Sequence, residues 1–176
     1  MYLYLKNENI EIRKFLSEDI EKKIEWINNP ANNKYLHYAL PLEYEKTLAW
    51  YEKIKYNDNR IDATILYSGI PVGLIGLIGI DYTNKKAEYY ICMGEETYKG
   101  KGIAGIASKM FIEYAFDELK LNKVYLYTEE DNIIAQKLFE KIGFSKEGLL
   151  VSDLIYNGRE VNRYVYGIVK KGYKNE

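Results

Sequence analysis

The glycine-rich segment at residues 98–105, which reads Tyr-Lys-Gly-Lys-Gly-Ile-Ala-Gly, constrains this chain more than any other stretch. It follows an apolar run at residues 89–93 that is typical of a strand, and a helical spacing of apolar residues continues over about residues 102–119. The first N–H groups of a helix have no partner within the helix and carry partial positive charge. Glycines let the backbone approach a ligand, and the lysines add charge. The segment therefore predicts a phosphate-binding turn between a strand and a helix.

The same glycines allow other interpretations. Gly100, Gly102 and Gly105 match the pattern G-x-G-x-x-G, but a lone match of this kind is weak evidence for a dinucleotide site. A dinucleotide fold places these glycines after its first strand, whereas here about 90 residues precede the segment and about 70 follow it. No Gly-Lys-Ser or Gly-Lys-Thr closes the segment, so a Walker A loop is excluded. A glycine-rich turn that merely caps a helix remains an alternative.

Composition limits the class of protein. The chain has 176 residues, of which 47% are hydrophobic, and this predicts a single domain over residues 1–176. Its net charge of −1 gives no basic field for nucleic acid, and its one cysteine, Cys92, excludes an intrachain disulfide. No cluster of cysteines and histidines indicates a metal. We find no leader sequence and no apolar run long enough for a membrane helix, so we expect a cytoplasmic protein with no membrane partner.

Hydrophobic periodicity predicts an alternation of strands and helices. We expect strands at about residues 10–15, 62–67, 72–80, 87–93 and 124–128. Helices are expected at about residues 17–28, 42–56, 102–119 and 132–142, and the polar run at residues 28–33 should end the first of them. Residues 144–155 and 161–169 form a predicted terminal hairpin around Asn157-Gly158. The pattern predicts one α+β domain with a mixed sheet.

The motifs in these elements resemble those of the GNAT superfamily of acetyl-CoA-dependent N-acetyltransferases, in particular its RimJ/RimL-like branch, which is also similar to spermidine and aminosugar acetyltransferases. The resemblance covers nearly the whole chain and is carried by Ala87-Glu-Tyr, the glycine-rich segment, Glu130-Asp-Asn-Ile-Ile-Ala and Leu138-Phe-Glu-Lys-Ile-Gly-Phe. The family's pyrophosphate loop, Gln/Arg-x-x-Gly-x-Gly/Ala, falls on Lys99, Gly102 and Ala104, with lysine as a departure at the first position. The resemblance implies the GNAT fold, a mixed, mostly antiparallel sheet of six to seven strands with about four helices, splayed between strands four and five.

The resemblance also implies that acetyl-CoA is a co-substrate and that no metal is required. The pyrophosphate would lie on Lys99, Gly100, Lys101, Gly102, Ile103, Ala104 and Gly105. The pantetheine arm would pair like an added strand with main-chain groups of Ile91, Cys92 and Met93, one of which would polarise the thioester carbonyl. The other side of the cofactor would contact Asn132, Ala135, Phe139 and Lys141.

Acetyl transfer to a primary amine requires removal of a proton, because the amine has a pKa near 10. Glu88 begins the strand that would hold the thioester and is the best candidate for a general base, directly or through water. The alternative is a solvated glutamate or an ion-pair partner of Lys85 or Lys86.

The group that protonates the leaving thiolate is less evident. Many relatives carry a tyrosine where this chain has Phe139, and a phenyl ring cannot donate a proton. Tyr127 is a substitute, unless the thiolate leaves without an acid. Cys92 could suggest a covalent acyl-enzyme, but it lies among apolar residues without an adjacent histidine, which favours an inert thiol.

The acceptor is predicted from the segment at residues 27–42, which by resemblance shapes the acceptor site and contains no carboxylate. Its candidate substrate residues are Asn33, Tyr35 and His37, which suit a hydroxyl-rich small amine such as a nucleotide-linked amino sugar. The asparagines could equally form turns, and His37 could be solvated. The alternatives are the N-terminal amine of a ribosomal or other protein, a polyamine such as spermidine, and a non-catalytic acetyl-CoA-binding module. A homodimer is common in this branch.

Overall fold

A computed structural model describes residues 3–173 of the 176-residue chain. Its eight strands, in chain order, are β1 (Tyr4–Asn7), β2 (Ile10–Lys14), β3 (Ile61–Tyr67), β4 (Ile70–Asp81), β5 (Lys86–Met93), β6 (Lys123–Glu129), β7 (Ser145–Tyr156) and β8 (Arg159–Val169). Its helices are α1 (Ile20–Asn28), α2 (Pro30–Asn33), α3 (Tyr44–Ile54), α4 (Ile103–Asp117), α5 (Ile133–Ile142) and α6 (Lys170–Tyr173). Short 3-10 turns precede α1 and α4.

The strands form one sheet in the order β1-β2-β3-β4-β5-β6-β8-β7. All neighbours are antiparallel except β5 and β6, which are parallel. The mixed, mostly antiparallel sheet is as expected, with β1 added at one edge to the predicted strands. This strand was missed because it is four residues long and mostly exposed, so it has no clear apolar alternation. The helix count exceeds about four because α2 and α6 are single turns.

The helices cover both faces of the sheet. On one face α4 packs in the larger apolar core, where Ala107, Phe111 and Ala115 are fully buried. On the other face α1 and α3 cover a smaller core around Phe15, Trp26 and Leu74. The polar run after α1, expected only to end that helix, forms the short helix α2, whose first turn is capped by the Asn29 side chain. None of the helices within residues 3–173 is long and apolar enough to span a membrane.

The central strands β5 and β6 diverge soon after they begin. They pair only through residues 86–88 of β5, at Lys86, Ala87 and Glu88. Beyond Glu88, β5 keeps its antiparallel partner β4 as far as Met93 but has no pairing with β6. The predicted splay therefore lies between β5 and β6, and it opens a gap in the middle of the sheet. The glycine-rich segment and α4 follow directly from β5.

Candidate active site

The glycine-rich segment leaves the N-terminus of α4 open. Gly100 and Gly102 adopt left-handed conformations, with φ of +73° and +80°, which side-chain-bearing residues rarely adopt. A Cβ atom at either position would meet nothing within 4 Å. Gly102 is the N-cap residue, and no side chain among the described residues caps this helix. The first N–H groups of α4, those of Ile103, Ala104 and Gly105, are therefore available to an anion.

The two lysines of the segment are already engaged. The Lys99 ammonium donates to the Asn32 side-chain oxygen at 2.6 Å and to the Glu96 carboxylate at 2.7 Å. The Lys101 ammonium lies 5.1 Å from the centre of the Tyr98 ring. Lys99 thus ties the segment to α2, and the anion-binding groups are mainly backbone N–H groups. This explains how lysine can replace the family's usual residue at this position.

The open edge of β5 offers backbone groups to the gap. The Gly94 N–H donates to the Val72 carbonyl of β4 at 2.9 Å, so the backbone of Gly94 points away from the gap. Backbone groups of successive strand residues point to opposite sides. The N–H and C=O groups of Ile91 and Met93 therefore point into the gap, whereas those of Cys92 point to β4. The edge between β5 and β6 can pair with an extended ligand arm.

Cys92 contributes its side chain rather than its backbone to the site. Burial raises the pKa of its thiol to about 11, although the charges of Lys23 and Lys99 act in the opposite direction. At neutral pH the group is a neutral thiol, which is a poor nucleophile. This environment fits the inert thiol and gives no support to a covalent acyl-enzyme.

A cavity of about 320 Å³ lies in the gap and extends through the sheet. Its walls come from the segment after α1, from both splayed strands, from α5 and from β8. The predicted site residues that line it are Tyr35, His37, Glu88, Ile91, Cys92, Tyr127, Asn132, Ala135 and Phe139. The structure thus assembles in one place residues that are separated by up to about 100 positions in the sequence.

Other predicted residues lie outside this cavity. Lys141 is on an exposed face of α5. The Asn33 side chain donates to the Ile27 carbonyl at 3.2 Å and thereby stabilises the turn after α1, as a turn-forming asparagine would. Met93, the last residue of β5, and residues 99–105, which lead into α4, do not line the cavity either.

Glu88 occupies a position suited to a proton acceptor. It lines the cavity where β5 and β6 separate, and it forms no ion pair with Lys85 or Lys86 in the described chain. Burial raises the pKa of its carboxyl group, and the positive charge of Arg163 opposes this increase. A carboxylate in this environment holds a proton more readily than an exposed glutamate does.

Tyr127 lies beside a fixed positive charge. The Arg163 guanidinium group is 4.5 Å from the centre of the Tyr127 ring, and its Nε donates to Asp153 at 2.6 Å. Phe139 lines the same cavity but is otherwise packed against Phe144 and Tyr166. Asn132 caps α5 by accepting the Ala135 N–H at 3.3 Å, which fixes the side of the cavity opposite β5.

Sequence reasoning missed the charged cluster around Glu129. This side chain, at the end of β6, is only 2% exposed. One oxygen lies 2.7 Å from the His37 Nε2 atom, and the other accepts from Arg159 at 2.9 Å. The cluster attaches the segment after α1 to β6 and to the terminal hairpin, where the Tyr156 hydroxyl also donates to the Tyr38 carbonyl at 3.0 Å. The buried positions of β6 alternate through Val124, Leu126 and Thr128, and the buried Glu129 interrupts this alternation, so the strand pattern gave no signal for it.

The described residues contain no candidate metal centre. Within residues 3–173, no group of three or more histidine, cysteine, aspartate or glutamate side chains could hold a metal ion.

Comparisons with known proteins agree with this geometry. Residues 9–145 match the family model of the acetyltransferase (GNAT) domain. The chain is 33% identical to the putative ribosomal N-acetyltransferase YdaF of Bacillus subtilis over 183 aligned positions, which cover 100% of both proteins. It is 30% identical to spermidine N(1)-acetyltransferase of Escherichia coli, with 88% of this chain and 82% of the relative covered. The crystal structure of spermidine N-acetyltransferase from Vibrio cholerae with CoA and spermine superposes with a TM-score of 0.88 at 27% identity, covering 96% of this chain and 100% of that one.

Proposed function

Because this chain belongs to the GNAT family and is an acetyl-CoA-dependent N-acetyltransferase, we propose that it acetylates the primary amine of a small acceptor by direct attack in a ternary complex. Acetyl-CoA supplies an activated acetyl group as a thioester. The observation that carries the proposal is the gap between β5 and β6, which joins the open N-terminus of α4 to a cavity containing Glu88.

The backbone of residues 91–105 fits the cofactor. The free N–H groups at the start of α4 would hold the pyrophosphate, and the unpaired edge at Ile91 and Met93 would hold the pantetheine arm. An N–H group of this edge that is aimed at the thioester carbonyl would stabilise the charge that develops on its oxygen. Fixed donors of this kind contribute about 3 kcal/mol to catalysis.

Glu88 would take the proton from the acceptor ammonium, directly or through water. Freeing the lone pair of an amine with a pKa near 10 at neutral pH costs roughly 4–5 kcal/mol. A half-buried carboxylate lowers this cost because it is both close and more basic than an exposed one. Tyr127 is the proposed proton donor to the departing thiolate, since Phe139 has no hydroxyl group.

The proposed acceptor is a small amine such as a nucleotide-linked amino sugar. Tyr35 and His37 line the cavity and offer ring and hydrogen-bonding surfaces for such a ligand. The principal alternative is a polyamine such as spermidine, which acidic side chains at the outer end of β6, including Glu130, Asp131 and Glu160, could attract. The N-terminal amine of a ribosomal protein is the second alternative, in line with the name of the Bacillus subtilis relative. A single domain over residues 1–176, a cytoplasmic location and a homodimer belong to the same proposal.

The test compares two variants that carry the same substitution at two left-handed glycines. Gly102→Glu places a carboxylate where the pyrophosphate would lie, whereas Gly158→Glu places one in the β7–β8 turn, where φ is +74° and the space is also open. At a hundred times its dissociation constant, acetyl-CoA should stabilise the native protein by about 2.7 kcal/mol, or roughly 5–10 °C in Tm. We expect the same shift in Gly158→Glu and none in Gly102→Glu.

An equal shift in both variants would exclude the N-terminus of α4 as the pyrophosphate site. Catalysis is measured separately, as release of the free thiol of CoA with a panel of amines. Stabilisation by acetyl-CoA without turnover of any amine would favour a non-catalytic acetyl-CoA-binding module.

A further inference from the structure

Lys23 of α1 is a buried cation without a counter-ion. The residue is only 4% exposed. Its ammonium group donates to the Tyr38 hydroxyl at 3.4 Å and lies 4.6 Å from the centre of the Trp50 ring. Among the residues that the structure describes, no carboxylate is within ion-pair distance of it. A hydroxyl group and an aromatic face offset only part of the free energy that is lost when an ammonium leaves water.

Three carboxylates on the surrounding elements already have cationic partners. These ion pairs are Asp19 with Arg13, Glu43 with Lys46, and Asp62 with Arg60. Asp62 also accepts a hydrogen bond from the Tyr90 hydroxyl at 2.5 Å. Moving any of these three carboxylates to Lys23 would therefore break its existing ion pair. An anionic group on a bound molecule would supply a counter-charge without that loss.

The ammonium faces a pocket that can admit such a charge. The pocket has a volume of about 410 Å³ and lies between α1, the start of α3 and the loop that connects α2 to α3. Trp50, Leu40 and Pro41 supply apolar walls. Lys46 and Arg60 also line the pocket, but they are paired with Glu43 and Asp62, so within residues 3–173 Lys23 is its cation without a carboxylate partner. A pocket with apolar walls and a few convergent charged groups is typical of a small-molecule site.

This pocket adjoins the cavity of the active site. Tyr38 and Arg60 line both spaces. The charge of Lys23 also acts on the Cys92 thiol, which lines the gap between β5 and β6. A ligand bound in the cavity could therefore extend one end into the Lys23 pocket.

We propose that the Lys23 pocket binds an anionic group, a carboxylate or a phosphate, that the amine acceptor itself carries. Lys23 is its counter-ion, and the apolar walls receive the adjoining part of the molecule. The inference rests on the proposed function only in placing the acceptor's amine in the active-site cavity. It defines the substrate class as acidic amines, such as amino sugar phosphates, nucleotide-linked amino sugars or amino acids. A polyamine is disfavoured as the acceptor, because its ammonium groups would be repelled by the Lys23 ammonium.

The experiment measures binding to the protein saturated with CoA, by isothermal titration calorimetry. The probes are two pairs of amines that differ in one anionic group: glucosamine 6-phosphate with glucosamine, and lysine with lysinamide. The variants are Lys23→Met, which removes the charge at similar length, and Lys46→Met, which removes an exposed charge from the same pocket. Lys23→Gln is a second, polar replacement. Removing a buried charge in favour of an apolar residue is often neutral or stabilising, so we expect Lys23→Met to fold.

We expect the anionic member of at least one pair to bind the native protein at least tenfold more tightly than its neutral partner. This preference should fall to within twofold in both Lys23 variants and persist in Lys46→Met. Equal binding within both pairs, or a preference that survives in Lys23→Met, would overturn the assignment. If inorganic phosphate raised kcat/KM for glucosamine without competing with glucosamine 6-phosphate, the anion would be a separate effector, and this also would overturn the proposal. Competition of phosphate with glucosamine 6-phosphate supports it.

The binding experiment is independent of turnover. If the charge preference is present but none of the four amines is acetylated, the Lys23 assignment stands and the proposed transfer to these acceptors is wrong. If an amine is acetylated without any charge preference, the proposed function stands and the Lys23 assignment is wrong.

Discussion

On the α4 side of the gap, the groups available to a ligand are backbone N–H groups from one continuous segment, residues 91–105. On the α1 side they are side chains from distant parts of the chain, and His37 and Glu129 are 92 positions apart. We call the α4 side the cofactor side and the α1 side the acceptor side, after their proposed roles. The cofactor side depends on glycine conformations and a strand edge, which many side-chain substitutions would leave intact. The acceptor side depends on individual charges. We therefore expect the cofactor side to be general to the family and the acceptor side to determine which amine is used.

The largest expected effect is on kcat when Glu88 is replaced, because this substitution should change proton transfer on the acceptor side and leave the cofactor side intact. Glu88→Gln should lower kcat by about a hundredfold to ten-thousandfold, the usual contribution of a general base, without weakening acetyl-CoA binding. Because burial raises the pKa of Glu88, the native rate should decline with falling pH at a midpoint above the ordinary value for glutamate. The residual activity of Glu88→Gln should not show this fall in rate at acidic pH.

Steady-state kinetics and a pH profile check this prediction, with Glu21→Gln on the exposed surface of α1 as the control. If Glu88→Gln retained native kcat, Glu88 would not be the base. If it weakened acetyl-CoA binding instead, the division between the two sides would not hold at this residue.

A smaller effect concerns Cys92, whose backbone belongs to β5 and whose side chain faces the acceptor side. With a pKa of about 11, its thiolate fraction at pH 8 should be about 200-fold below that of an ordinary thiol. More basic thiolates are more nucleophilic, so the modification rate should be about 20-fold lower.

The measurement is the rate of labelling by a disulfide reagent, with the unfolded protein in urea as the reference. Because this is the only cysteine of the chain, the signal needs no assignment. The rate should still rise about tenfold per unit between pH 8 and pH 10, where an ordinary thiol levels off. Labelling as fast as in urea would show that the gap is more polar than described.

The smallest expected effect tests the attachment of the acceptor side. Glu129→Gln keeps the shape of the side chain but removes the charge between His37 and Arg159. Hydrogen bonds to charged groups contribute about 1.5–3 kcal/mol, and part of this should appear as a roughly tenfold loss of kcat/KM for the acceptor. The KM for acetyl-CoA should not change.

The control for this prediction is Glu130→Gln, the next residue, whose carboxylate is exposed and accepts from Asn162. A similar loss of kcat/KM for the acceptor in both variants would show that the effect comes from the overall charge near β6 and not from the contacts of Glu129. A raised KM for acetyl-CoA in Glu129→Gln would show that the two sides are coupled through β6.

The same contrast explains what could be predicted from the sequence. The glycine-rich turn and α4 follow from local patterns, because glycine positions and apolar periodicity are properties of neighbouring residues. The splay was expected only from the resemblance to the family. The cluster at Glu129 and the pocket at Lys23 form only when the segment after α1 lies against β6 and α3. No spacing within one segment reveals such contacts.

The position of Lys23 in the sequence nevertheless gave some indication of its burial. Ile20, Ile24 and Ile27 form the inner stripe of α1, and Lys23 lies within that stripe, three positions after Ile20. A lysine there was passed over because long side chains usually extend to solvent from such positions. Its burial depends on Trp50 and Tyr38, which come from other elements.

The position of Trp50 beside Lys23 has a spectroscopic consequence. The chain has two tryptophans, and both lie on the acceptor side of the sheet. Trp26 is buried, and its indole N–H donates a hydrogen bond to the Glu95 carboxylate. The Lys23 ammonium lies over the ring of Trp50. The emission of an indole responds to charges held against its face. Intrinsic fluorescence therefore reports on the side of the sheet that α1 and α3 cover, and Trp50 is a built-in optical probe of the Lys23 pocket.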